Sequence, residues 1–525
     1  MLPSSLLTAI VLLASTSAHA SRYHVNANAT GTGTGLSWTN AFTDLQEALS
    51  IVIPDDEIWV AAGQYRPTTG TTRTVSFVLR NGVDLYGGFA GTETALDQRD
   101  ILNNPTTLNG DIGELGLASD NSHSVVTANN ITTSIVLDGF RILNGNNTNG
   151  SHGGGLRVTN ALGGLVLVRN CRFLNHQSNN YGGAIYLAAA NLTVEDCEFQ
   201  NNSSSNGGAI ENGNNNGGYS NLVLRDCLFK GNTANIGACL DNTLRYETLE
   251  IDRCFFTNNL SANSVIVIDD FISARLMNSA IIGNSVNGST SEVLRVNTFG
   301  SSTAPFDLTN CTIADNANTY AFALQGELVQ LEDNHMRVSN CIVNGNTPYA
   351  GRQMRNGPLV RYTLVEGGYA SGTAILDADP QFVAPNAGAP SNFDATGFDY
   401  TLLGSSPCIN TGDNESVEAA FLLDLALNDR IQGGVVDLGC YESSFSVSLG
   451  AEIAGTQGWY FAATERELHI PDAENLRGSI LSILDPSGRV VLRQHMRNSV
   501  VPLDLPTGLY IAVAEGLEAL RFVVW

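Results

Sequence analysis

The chain is built from a repeated rung. Leu167-Val168-Arg169-Asn170-Cys171-Arg172-Phe173 returns as Val194-Glu195-Asp196-Cys197-Glu198-Phe199, then as Leu224-Arg225-Asp226-Cys227-Leu228-Phe229 and Asp252-Arg253-Cys254-Phe255-Phe256. Further copies are centred on Cys311 and Cys341, while Phe140 and Ser279 replace the cysteine in two others. Between Phe140 and Cys341 the average step is about 29 residues. An asparagine falls five residues after most rung centres, at Asn202, Asn232, Asn259, Asn284, Asn316 and Asn346. Small-residue marks such as Gly182-Gly183-Ala184-Ile185 and Gly207-Gly208-Ala209-Ile210 precede several rungs.

A period of this size means a stack of similar units. Each unit carries short alternating strands broken by Asn and Gly, with no amphipathic helical pattern, so helical repeats are excluded. The Leu and Asn frame of a leucine-rich repeat is also missing. The pattern predicts an all-β chain folded as a parallel β-helix, with coils stacked about 4.8 Å apart. Cys171 and Phe173 share a face of their strand and both are apolar, so the cysteine column is read as a buried interior stack of free thiols. A disulfide ladder would need Cβ atoms about 3.8 Å apart, closer than stacked strands bring them. The asparagine column is read as a turn ladder whose amides bond the neighbouring coil and tolerate left-handed backbone. Earlier rungs at Trp59, Leu85 and Leu108 and a last one at Tyr362 bring the expected count to about twelve coils. Such a stack needs capped ends. Thr43-Asp44-Leu45-Gln46 has a capping-box pattern leading into Leu45, Ala48 and Leu49, which predicts a short N-terminal capping helix.

Composition narrows the rest. The chain holds 53 Gly and about as many Asn, yet 43% of its 525 residues are hydrophobic, ample for a core and incompatible with disorder. Its formal charge of −25, with Lys230 the only lysine, excludes bulk electrostatic binding of nucleic acid. Leu6 to Ala14 form a short apolar run, followed by Ala18-His19-Ala20. This predicts a signal peptide over residues 1–20, cleaved between Ala20 and Ser21, and export of the chain. The run is shorter than the roughly 20 residues of a membrane span, and no other segment is apolar enough, so no transmembrane segment is expected in the mature chain.

Several segments resemble the choice-of-anchor Q family, within the pectin-lyase-like superfamily. They include Ser37-Trp38-Thr39-Asn40-Ala41-Phe42-Thr43-Asp44-Leu45-Gln46, Asp56-Glu57-Ile58-Trp59-Val60-Ala61-Ala62-Gly63 and Gly82-Val83-Asp84-Leu85-Tyr86-Gly87-Gly88-Phe89. The closing motifs Asp379-Pro380-Gln381-Phe382, Ser406-Pro407-Cys408-Ile409-Asn410-Thr411-Gly412 and Val436-Asp437-Leu438-Gly439-Cys440-Tyr441-Glu442 are similar too. The resemblance implies a right-handed parallel β-helix over residues 21–445 with N- and C-terminal caps, on a bacterial surface protein, and no established activity. After residue 445 asparagine becomes scarce, and short strands separated by Asp485-Pro486-Ser487-Gly488 and Pro506-Thr507-Gly508 predict a small β-sandwich over 446–525. Ile483-Leu484-Asp485-Pro486-Ser487-Gly488-Arg489-Val490-Val491 resembles the C-terminal sorting domain of type IX secretion in Bacteroidota, with Arg521 where Lys is more usual. That implies the type IX machinery as a partner, and a cell-surface or extracellular location.

Candidate chemistry is sparse. Asp269-Asp270 is the clearest acidic pair, but neighbours on a strand face opposite ways, and a solvated turn is the simpler reading. Ser151-His152-Gly153 faintly resembles a polygalacturonase histidine motif without the matching Asp motifs. Asp111, Glu114 and Asp120 share one loop and offer oxygen ligands for Ca²⁺, without EF-hand spacing; no other cofactor is indicated. Cys408 and Cys440 fall outside the ladder and could tie the C-terminal cap as a disulfide, which export permits. With nine cysteines, at least one thiol stays free. A ladder without a convergent catalytic set favours a non-enzymatic adhesion or glycan-binding rod. A polysaccharide lyase or hydrolase and a plain structural stalk are the alternatives.

Overall fold

The structure is a computed structural model. It describes residues 20–443, except 149, 151, 214–217, 243–245, 270, 289–291, 298–304, 319–328, 332–335, 348–352, 355–357 and 389, together with the strands and a few flanking residues of 460–524. Backbone packing divides the chain into two compact units, residues 1–447 and 448–525.

The first unit is an all-β parallel solenoid of the right-handed type, with little helix. The alternating segments pair coil on coil in matched register. Thus Leu167 lies beside Thr193 and Val168 beside Val194, and on the next face Phe173 lies beside Phe199 and Phe199 beside Phe229. Complete turns number about eight, not the twelve counted from sequence. The rungs at Trp59, Leu85 and Leu108 pair into the long sheet, but inserts at 66–76 and 90–105 break their coils. The seven-stranded sheet that completes the turns runs from Asn146–Asn147 to Ala317–Asn318.

Identical side chains on successive coils build the interior. The rings of Phe173, Phe199, Phe229 and Phe256 stack with centroids 5.1, 4.7 and 4.8 Å apart, close to the rung spacing, and interplanar angles of 4°, 7° and 14°. All the rung cysteines are buried free thiols. The Cys171 thiol, for example, donates to the Arg169 carbonyl at 3.2 Å. Seven-residue helix Leu45–Ile51 adds Leu45, Ala48 and Leu49 to the same apolar cluster at the N-terminal end. Asp44, one residue later than the Thr43 of the capping-box reading, is its N-cap, accepting from the Gln46 amide at 2.9 Å.

The asparagine column departs from its sequence reading in one respect. The ladder asparagines are not left-handed; the residue before each one is, with φ of 55° at Asn201 and Asn258 and 53° at Asp315. The ladder amides themselves are fully buried. Asn202 Nδ2 donates to the Phe173 carbonyl and to Asn232 Oδ1, both at 3.0 Å, and Asn232, Asn259, Asn284 and Asn316 repeat the arrangement. Gln353 closes one end by accepting from Asn346 Nδ2 at 2.9 Å. His176 occupies the other end, its backbone N–H donating to Asn202 Oδ1 at 3.0 Å.

His176 is neutral in the fold. Its Nδ1 accepts from the Gly145 amide at 2.9 Å, which leaves Nε2 to donate to the Ile142 carbonyl at 2.9 Å. Burial pushes its pKa down to about 3. The unfolded chain takes up a proton below about pH 6.5 while the folded chain does not, so this residue lowers stability progressively as pH falls from 6.5 toward 3. His176→Asn should therefore lower the stability at pH 8 relative to that at pH 5 by about 2 kcal/mol compared with the parent, read from urea titrations at both pH values. An unchanged difference would sink this account.

The second unit contains two antiparallel sheets among its described residues. One joins Tyr460–Ala462, Glu467–His469 and Val500–Pro502; the other joins Ile480–Leu484, Val490–His495, Gly508–Ala514 and Leu520–Val524. No helix among the described residues is long and apolar enough to cross a membrane.

Candidate functional site

Two groups of polar side chains stand apart from the interior columns. The first lies at a corner of the coil. Each rung cysteine is preceded by a left-handed residue, with φ of 52° at Asn170, 51° at Asp196, 52° at Asp226 and 49° at Arg253. Asn and Asp suit that backbone. Each cysteine is followed by the first residue of the next strand, which places Arg141, Arg172, Glu198 and Leu228 in one register row. These two rows, with Ile101, Leu102 and Pro105 from the 90–105 insert, line a cleft of about 460 Å³. Farther along the same sheet, the C-terminal segment covers the next rungs, where Asp394 pairs with Lys230 and Asn392 Nδ2 donates to the Asn258 carbonyl at 3.2 Å. The cleft occupies the interval between the insert and this segment.

Most charges around the cleft are paired. Arg172 Nε meets Glu198 Oε2 at 2.7 Å, and Arg253 holds both Asp226 oxygens at 2.7 Å. Beside it, Arg99 and Arg169 share the buried Asp138 carboxylate at 2.6 and 2.7 Å. Asp196 and Arg141 differ. Neither side chain makes a hydrogen bond or ion pair among the described residues. Desolvation, and then the neighbouring Asp226 charge, hold the Asp196 carboxyl above the usual carboxylate range. Asp196 and Asp226 sit on adjacent rungs, so the cleft presents two carboxyl groups about one coil apart.

The second group is a buried acidic row. Arg157, Tyr186, Glu211, Asp241, Val267 and Arg295 occupy one register position on successive coils. Glu211 and Asp241 are both completely buried. Desolvation and the adjacent Asp241 charge hold Glu211 well above its usual range, and desolvation pushes Asp241 up to about 6 against the opposing bond from Asn206 Nδ2, 2.9 Å long. Two stacked carboxyls in this setting keep a proton between them.

The residues singled out from sequence are dispersed. Asp269 is not a solvated turn residue: it ends the strand Ile266–Asp269, is 1% exposed and pairs with Arg295 at 2.8 Å. Asp270 lies outside the described residues. The His152 ring packs against Tyr181 and Tyr186, with centroids 4.8 and 4.6 Å away, beside the acidic row and away from the cleft. In the proposed calcium loop, Asp111 Oδ1 accepts from the Gly116 amide at 2.9 Å and Asp120 Oδ2 from the Glu114 amide at 2.8 Å. Those carboxylates fold the loop, and among the described residues no group of three or more His, Cys, Asp or Glu is arranged to hold a metal. Cys408 and Cys440 are free thiols in separate apolar clusters, the first with Leu402 and Leu438, the second with Ala280 and Tyr400. Apolar packing and the buried Arg430–Glu442 pair at 3.4 Å sit in the cap where a disulfide was expected.

Neither the cleft nor the acidic row was singled out from sequence. The cleft had a visible signal, because its polar side chains directly flank the rung cysteines in the motifs Arg169-Asn170-Cys171-Arg172 and Glu195-Asp196-Cys197-Glu198.

No protein-family model matches the chain, and no curated protein matches it. Among solved structures it is similar to pectate lyase Pel9A, at 12% identity and a TM-score of 0.36 over 81% of this chain and 97% of that one. A rhamnogalacturonan lyase gives 12% identity and a TM-score of 0.39 over 65% and 87% of the two chains. XylC in complex with xylose gives 9% and 0.30 over 80% and 98%. None of these likenesses is close enough to carry chemistry to this chain.

Proposed function

We propose that this chain is an exported, non-enzymatic β-helix that binds glycan in the cleft between Arg141 and Asp226. The observation that carries this reading is the cleft itself. It combines an apolar wall with guanidinium, amide and carboxylate groups repeated at the rung spacing, the mixture that orients hydroxyl-rich ligands. The N-terminal apolar run, the choice-of-anchor Q motifs and the sorting-domain motifs support delivery through type IX secretion to the cell surface or medium, residues 446–525 acting as a sorting β-sandwich. Full-length protein titrated against immobilised neutral and acidic polysaccharides should bind at least one class. Arg172→Ala, which also strips the partner from Glu198, should weaken that binding by about tenfold or more. Failure to bind any polysaccharide would overturn the proposal.

The Asp196 and Asp226 pair favours a second reading, a glycoside hydrolase with paired carboxyls. Reducing-end release that Asp196→Asn abolishes would establish it and displace the non-enzymatic one.

A further inference from the structure

Arg141 and Asp196 are charged, line the cleft, and bond to no described residue of the chain. Their neighbours behave otherwise. Arg169, Arg172, Arg225, Arg253 and Arg337, also on rung strands or their turns, are all ion-paired. A folded surface this rich in acid has carboxylates to spare for Arg141, yet the adjacent rung gives it Arg172, a like charge already held by Glu198. Asp196 likewise faces Asp226, whose two oxygens are taken by Arg253. The cleft therefore carries one uncommitted cation and one uncommitted anion. They stand two rungs apart along the axis, roughly 10 Å at about 4.8 Å per rung. The neutralised Arg172–Glu198 pair lies between them.

Resting on the glycan-binding reading above, we infer that the cleft selects a zwitterionic glycan: a negative substituent sits on Arg141 and a free amine on Asp196, about two rungs away. The planar guanidinium suits a two-pronged contact with a carboxylate, sulfate or phosphate. Asp196, acceptor-only when ionised, suits an ammonium group. A purely acidic chain would meet Asp196, Asp226 and the overall charge of −25 without compensation, and a purely basic chain would meet Arg141 and Arg172. Only a ligand carrying both signs satisfies both ends.

The test uses full-length protein and four chemically defined oligosaccharides of equal length: neutral, carboxylate-bearing, amine-bearing, and one carrying both a carboxylate and a free amine. The last should bind at least about tenfold more tightly than the others. Arg141→Gln should remove the preference for carboxylate and Asp196→Asn the preference for amine. Because neither side chain bonds another described residue, both variants should melt like the parent, so lost binding reads on the site. Equal binding of neutral and zwitterionic chains, unaltered by both substitutions, would overturn this inference and leave the glycan-binding reading standing. Binding of none of the four would overturn both.

Discussion

Asn232→Ala is expected to destabilise the solenoid by about 3–5 kcal/mol, as much as deleting a core phenylalanine. The reason is the number of bonds that meet at one buried amide. Asn232 Nδ2 donates to the Phe199 carbonyl at 2.9 Å and to Asn259 Oδ1 at 3.0 Å, while its Oδ1 accepts from both the backbone and side chain of Asn202 at 3.0 Å. Truncation leaves all four partners in a site that is completely buried. Unsatisfied buried polar groups cost about 1–3 kcal/mol each, partly relieved where water enters. Asn232→Leu separates this account from simple packing. It restores the volume without the bonds and should be no more stable than the alanine variant. Urea unfolding of full-length protein measures both, and a loss below about 1 kcal/mol in either would show the ladder to be ornamental.

The second large effect is a dependence on pH opposite in sign to that of His176. Burial pushes Asp241 up to about 6 in the fold, against about 3.8 unfolded, and holds Glu211 well above its own usual range. A raised carboxyl binds its proton more tightly in the folded state. Its stabilising contribution is complete below about pH 4 and disappears as pH rises through the folded pKa. For Asp241 alone the swing is about 3 kcal/mol between pH 4 and pH 7. Glu211→Gln supplies a neutral donor to Asp241 and removes the second ionisation. Its advantage over the parent should grow as pH rises above the ordinary carboxylate range, by about 1 kcal/mol or more. Since His176 acts in an overlapping window with the reverse slope, the parent profile alone is uninformative. The two single variants separate the contributions, and parallel curves for Glu211→Gln and parent would refute the role of the pair.

The solenoid was legible because its interior is redundant. A cysteine, an apolar residue two positions on (phenylalanine in four rungs) and an asparagine five positions on recur in most coils, so one register explains all of them. What depends on a single coil was harder to read. Glu211 follows Ile210 on an alternating strand, where a charged residue is expected to face water, yet stacking of Asp241 on the next coil finds it buried. The cleft needs the 90–105 insert to fold over a particular pair of rungs, which no local pattern specifies. Likewise, Cys408 and Cys440 share a short closing region, but separate apolar clusters claim them.

The ladder amides also have a direction. From Asn202 to Asn346 each side-chain Oδ1 accepts from the N-terminal side and one N–H of each amide donates toward the C-terminal end, where Gln353 accepts the last one and passes its own Nε2–H to Glu366 Oε2 at 2.8 Å. Aligned amide dipoles add, as they do in an α-helix, and the positive end of this array meets a carboxylate. The rod is thus electrically polar along its length, independently of its charged residues, and coils can be added or lost only as whole units that keep the array in line.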